Sequence, residues 1–68
     1  MKEEIKTLLE NNLDTRDKRF MFLKIKFPRL VSRINLEGSI SQVSFDILEE
    51  FKKQELLENL LIELKRHF

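Results

Sequence analysis

Residues 39–64 read SISQVSFDILEEFKKQELLENLLIEL, and the spacing of their apolar positions decides the fold class. In the second half, Leu56, Leu57, Leu60, Leu61 and Leu64 stand at i, i+1, i+4, i+5 and i+8, which line one side of a helix with a 3.6-residue period. Val43, Ile47, Leu48 and Phe51 make the same stripe in the first half. Two stripes this close in sequence must face each other or share a third element, so two amphipathic helices joined by almost no loop are expected. Ser39 followed by Gln42 matches a capping box that opens the first of them. That helix is predicted to run to about Lys52, with Glu49 and Lys53 paired at i, i+4 on its exposed side. Glu55 and Glu58 near the start of the second helix, and Lys65 and Arg66 near its end, complement the helix dipole.

Toward the N-terminus, Ile5, Leu8 and Leu9 mark the inner side of a helix from Lys2 to about Asn11. Asn11-Asn12 suits its end, because Asn tolerates the left-handed backbone found there. Asp14 or Thr15 is the expected N-cap of a second helix over Arg16–Phe27. Phe20, Leu23 and Phe27 form one stripe on that helix, Met21 and Ile25 another, with Phe22 between. Apolar residues on two sides predict a helix sandwiched centrally in the bundle; a short strand is the alternative, because Lys24-Ile25-Lys26-Phe27 alternates. Pro28 ends the segment and suits the first turn of a short helix to about Ile34, burying Leu30, Val31 and Ile34. The expected architecture is all-α, a bundle of five (at most six) helices in a single domain spanning residues 1–68.

A domain of 68 residues has 28 apolar side chains, enough for one core but not for a core and a deep substrate pocket as well. There is no cysteine, so disulfides and thiolate metal sites are excluded. The longest stretch without Asp, Glu, Lys or Arg is eight residues, Gly38–Phe45, far short of a membrane span. Met1-Lys2-Glu3-Glu4 lacks the apolar run of a signal peptide, so a cytoplasmic location is expected. The single histidine, His67, has no second nitrogen or sulfur ligand to share a transition metal with. Gly38 is alone and forms no phosphate loop, and the serines at 32, 39, 41 and 44 have no nearby base. Glutamates 49, 50, 55, 58 and 63 fall mostly on solvated helix faces. Neither enzymatic activity nor a metal or cofactor is expected.

The net charge is only +1, but it is unevenly placed. Residues 16–33 hold seven basic side chains (Arg16, Lys18, Arg19, Lys24, Lys26, Arg29 and Arg33) against Asp17 alone. The flanks are acidic: residues 1–15 carry two basic and four acidic groups, residues 34–68 four and seven. A basic segment interleaved with Phe20, Phe22 and Phe27 fits a nucleic-acid contact, or a merely solvated face. A membrane-surface helix would keep its Lys/Arg and Phe/Leu on opposite sides, which this segment does not. Protein partners fit better, because basic and acidic patches on separate faces let one copy bind the next head to tail.

The run FPRLVSRI at 27–34, a short polar loop, and SFDILEEFKKQELLENLLIELKRHF at 44–68 resemble the effector-associated domains of bacterial conflict and programmed-cell-death systems. These are small helical adaptors comparable to eukaryotic death-fold domains. The likeness lies in the Phe-Pro helix junction, in Phe45-Asp46-Ile47-Leu48, and in the pairs Leu56-Leu57 and Leu60-Leu61. The family pattern has a glycine or other small residue where the fourth helix turns into the fifth, and this chain has Lys53-Gln54. The resemblance implies a death-like fold and a non-enzymatic adaptor that pairs with copies of itself, coupling a sensor to an effector such as a protease or NTPase. It also implies a place at one end of a longer polypeptide. The expected interface sets the seven basic residues against Asp46, Glu49, Glu50, Glu55 and Glu58 of another copy, with reversal of Arg16 and Arg19 abolishing assembly. The alternatives are a small nucleic-acid-binding bundle using residues 16–33, or a domain that binds a different protein.

Overall fold

The computed structural model describes residues 1–68 and has five helices: α1 (Lys2–Asn12), α2 (Arg16–Lys26), α3 (Pro28–Val31), α4 (Ile40–Lys53) and α5 (Leu57–His67). Helices α1, α4 and α5 pack against one another, while α2 packs chiefly on α3. The stripe read from residues 43–51 is the centre of the core: Val43, Ile47 and Phe51 are fully buried and Leu48 nearly so. From α5, Leu60 and Leu64 are buried, with Leu56, Leu57 and Leu61 half-buried at the margin. Ile5 and Leu9 complete the inner layer from α1. Removing such side chains from water is worth roughly 1.5–3 kcal/mol each, which makes this layer the main source of stability.

The helix starts follow their capping residues. Thr15 Oγ1 accepts the Lys18 N–H at 3.2 Å, and Ser39 Oγ accepts the Gln42 N–H at 3.2 Å. The capping box at Ser39 is only half made, because the Gln42 amide turns forward to Asp46 Oδ1 at 3.1 Å. Pro28 occupies the first turn of α3, and the chain preceding it breaks at Phe27, outside α2. Helix α3 stops at Val31, yet Ile34 and Leu36 beyond it still enter the core. No strand forms at residues 24–27.

Three expectations are corrected here. Helix α2 is not sandwiched: Met21 and Ile25 are 54% and 64% exposed, and the buried face is Arg19, Phe22 and Leu23. Glu49 and Lys53 form no ion pair. Glu55 lies outside α5, in the turn that closes α4. There the Leu56 N–H reaches the Phe51 carbonyl at 2.8 Å, the Glu55 N–H reaches the Lys52 carbonyl at 3.1 Å, and Glu55 is left-handed at φ 58°. This is a Schellman closure, whose left-handed position glycine usually fills. Here Glu55, neither glycine nor small, fills it. The reversal that sets α5 back against α4 depends on it.

An aromatic group joins α2 to the rest. Phe27 meets Phe51 edge-on, with ring centroids 4.8 Å apart, and Phe22 lies 6.4 Å from Phe27. Phe22 also meets His67 at 5.7 Å and stacks on Phe68 at 6.2 Å, so the end of α5 closes over α2.

Candidate protein-interaction surface

The seven basic residues of 16–33 do not form one patch, because five are engaged within the molecule. Arg19, only 4% exposed, is a core residue. One of its amino groups donates to the Leu13 carbonyl at 3.0 Å, and the other makes a longer 3.5 Å contact with the Leu36 carbonyl. It ties the end of α1 and the loop before α4 to α2. Position 19 lies one turn before Phe22 and Leu23 on the same helix face, and that spacing was the available signal for burial. Arg19 is thus unavailable to a partner, and its reversal to Glu would break the fold, not an interface.

Arg16 Nε donates to Glu37 Oε1 at 2.7 Å, with Asp17 3.9 Å from the same guanidinium. Lys18 pairs with Asp14 at 3.0 Å. That hydrogen bond, reinforced by the ammonium charge, holds the exposed Asp14 carboxyl below its ordinary value of 3.8. Lys26 lies 3.7 Å from Glu63, bridging α2 and α5. Lys24 lies over the Phe20 ring, 5.5 Å from its centroid. Arg29 and Arg33, both exposed, have no ion pair.

The acidic set is unspent. None of Asp46, Glu49, Glu50, Glu55 and Glu58 is in an ion pair. Asp46 and Glu50 each accept only a side-chain amide, from Gln42 at 3.1 Å and from Gln54 at 2.9 Å. Asp46, Glu49 and Glu50 share one side of α4, as their i, i+3, i+4 spacing requires, and they line a shallow depression with Arg33, Ile34 and Lys53. Glu55 and Glu58 stand apart from it, at the α4–α5 turn and the first turn of α5.

Arg33 also borders a second depression, about 460 Å³, between α3 and the α4–α5 turn, where Lys26 and Arg29 surround Phe27, Pro28 and Leu56. Arg29 and Arg33 thus adjoin Asp46, Glu49 and Glu50 on one side of the molecule, where separate faces were expected. Elsewhere, Met21, Ile25 and Phe68 line an open apolar groove between α2 and the end of α5, over Phe22 and His67. Met21 and Ile25, the second apolar stripe of α2, thus face this groove and not another helix.

His67 is exposed, and its ring meets those of Phe22 and Phe68. Ser44 is fully buried and its hydroxyl has no hydrogen-bond partner. No three His, Asp or Glu side chains come together as a metal site, and no helix is long and apolar enough to cross a membrane. Comparison with family models finds no match, and comparisons with curated proteins and with solved structures find none either.

Proposed function

We propose that this domain is a non-enzymatic protein-interaction module that pairs with another copy of itself or of a related domain. The observation that carries this is the unpaired state of Asp46, Glu49 and Glu50 beside the unpaired Arg33, with Arg29 in the adjoining depression. Exposed charges of both signs attract a surface of the same make-up, speeding encounter and selecting the partner. Individual exposed ion pairs contribute only about 0–1 kcal/mol, so several act together with the half-buried Phe27 and Leu56 alongside them. The likeness of residues 27–34 and 44–68 to effector-associated domains gives such pairing a purpose, that of an adaptor joining a sensor to an effector in a bacterial immune or cell-death system. In that setting the domain works in the cytoplasm and needs no cofactor. A nucleic-acid role draws less support, because burial of Arg19 and internal pairing of Arg16, Lys18 and Lys26 divide the basic segment.

Sedimentation velocity over a range of concentrations tests the proposal. Self-association that weakens with added salt is the expected result. A chain that stays monomeric throughout overturns the homotypic proposal, and a salt-sensitive gel shift with DNA or RNA would then favour nucleic acid.

A further inference from the structure

Arg33 lies where two depressions of opposite character meet. On one side of it are Lys26 and Arg29; on the other are Asp46, Glu49 and Glu50 along α4, which outnumber the single Lys53 among them. A head-to-tail contact needs its two complementary patches on different faces of the molecule. Here they are neighbours, and the symmetry that satisfies neighbours is a two-fold axis. Rotation by half a turn about an axis between Arg33 and the carboxylates of α4 sets the basic half of one copy on the acidic half of the other, and the reverse contact forms at the same time. Such an interface is self-complementary and closes at two copies, leaving nothing to propagate.

We propose that the occupant of this surface is a second copy of the chain, related by a two-fold axis, with Arg29 and Arg33 of each copy set against Asp46, Glu49 and Glu50 of the other. The inference rests on the homotypic proposal and adds its surface and its stoichiometry. Charge complementarity selects this occupant. The two arginines have no carboxylate partner within the molecule, and the three carboxylates have no cation in an ion pair. Arginine also suits the task, since its planar fork engages a carboxylate through two parallel hydrogen bonds. Lys26 contributes less, because Glu63 already holds it at 3.7 Å. Phe27, Pro28 and Leu56 add an apolar floor beside the cations. Each ion pair forms twice in a two-fold contact, so weak exposed pairs accumulate into a measurable affinity.

The test uses two charge-reversed chains, R29E/R33E and E49R/E50R, each checked for helicity by circular dichroism. The native chain is expected to reach a limiting mass of two copies. Each reversed chain alone should self-associate at least about tenfold more weakly. Mixed in equal amounts, they should form a one-to-one pair, because each reversed half then meets an opposite charge. The neutral chains R29Q/R33Q and E49Q/E50Q give the same answer should a reversal unfold the domain: each alone loses both charge contacts and weakens the dimer, and mixing them restores one of the two and so recovers part of the affinity. A native mass that climbs past two copies overturns the two-fold geometry while leaving homotypic pairing intact. A dimer indifferent to both substitutions overturns the surface. A native chain that never leaves the monomer removes the homotypic proposal together with this one.

Discussion

The guanidinium of Arg19 holds the carbonyl of Leu13 at 3.0 Å from a site only 4% exposed. Leu13 follows the last turn of α1, where carbonyls lack helical partners. A cation from the next helix fills that vacancy, and the same side chain reaches the Leu36 carbonyl across the loop before α4. The most basic stretch of the chain therefore contributes one charge to folding itself. Arg19→Ala removes the donor and leaves a void, and should destabilise the domain by about 2 kcal/mol. Chemical denaturation measures this; a loss under about 0.5 kcal/mol, ordinary for a surface position, would contradict the role assigned to Arg19.

Glu55 carries the closure of α4 in a left-handed backbone at φ 58°, a conformation that costs an ordinary L-residue roughly 1–2 kcal/mol. Glycine adopts it freely. Glu55→Gly is expected to raise stability by about 0.5–1 kcal/mol, part of the relief being offset by the greater freedom of glycine in the unfolded chain. Thermal unfolding followed by circular dichroism decides it, and a lower midpoint would count against this turn geometry.

Ser44 is a buried polar residue with no partner for its hydroxyl. Burying an unpaired hydroxyl costs about 1–3 kcal/mol, and alanine is the better helix former. Ser44→Ala should therefore stabilise the domain, by about 1 kcal/mol. Urea denaturation of the two chains provides the comparison; destabilisation would mean the hydroxyl is bonded in solution.

Lys18 lowers the Asp14 carboxyl through a hydrogen bond and its charge. A carboxyl held below its ordinary value stabilises the folded state above that value. The contribution is lost as pH falls through the depressed one. Lys18→Gln should move the Asp14 titration up toward 3.8, as read from its side-chain carboxyl shift by NMR. An unmoved titration would mean the contact is not populated.

The helices were legible because their apolar spacing is regular and their caps are chemically distinct. Ser39, Thr15 and Pro28 each act where such residues usually act. The bundle core of Val43, Ile47, Phe51, Leu60 and Leu64 follows from one period. Helix α2 was harder. Apolar character on two sides of a helix does not say which side is covered, and in so small a domain no other element was left to cover Met21 and Ile25. Arg19 was concealed by its charge, since periodicity counts an arginine as polar even when its stem lies in the core. The interaction surface was legible only as two sets of opposite charge. Their adjacency depends on the Schellman turn at Glu55 and on the loop that brings Arg33 next to α4, both tertiary features without a periodic signature.

The central claim is that copies pair through the side of the molecule where Arg33 separates the basic from the acidic depression. Backbone amide shifts recorded by NMR across a dilution series test it most directly. Shifts concentrated at residues 26–33 and 46–50 are predicted, fading as salt is raised. Shifts confined to Met21, Ile25 and Phe68, or none at any concentration, would contradict it.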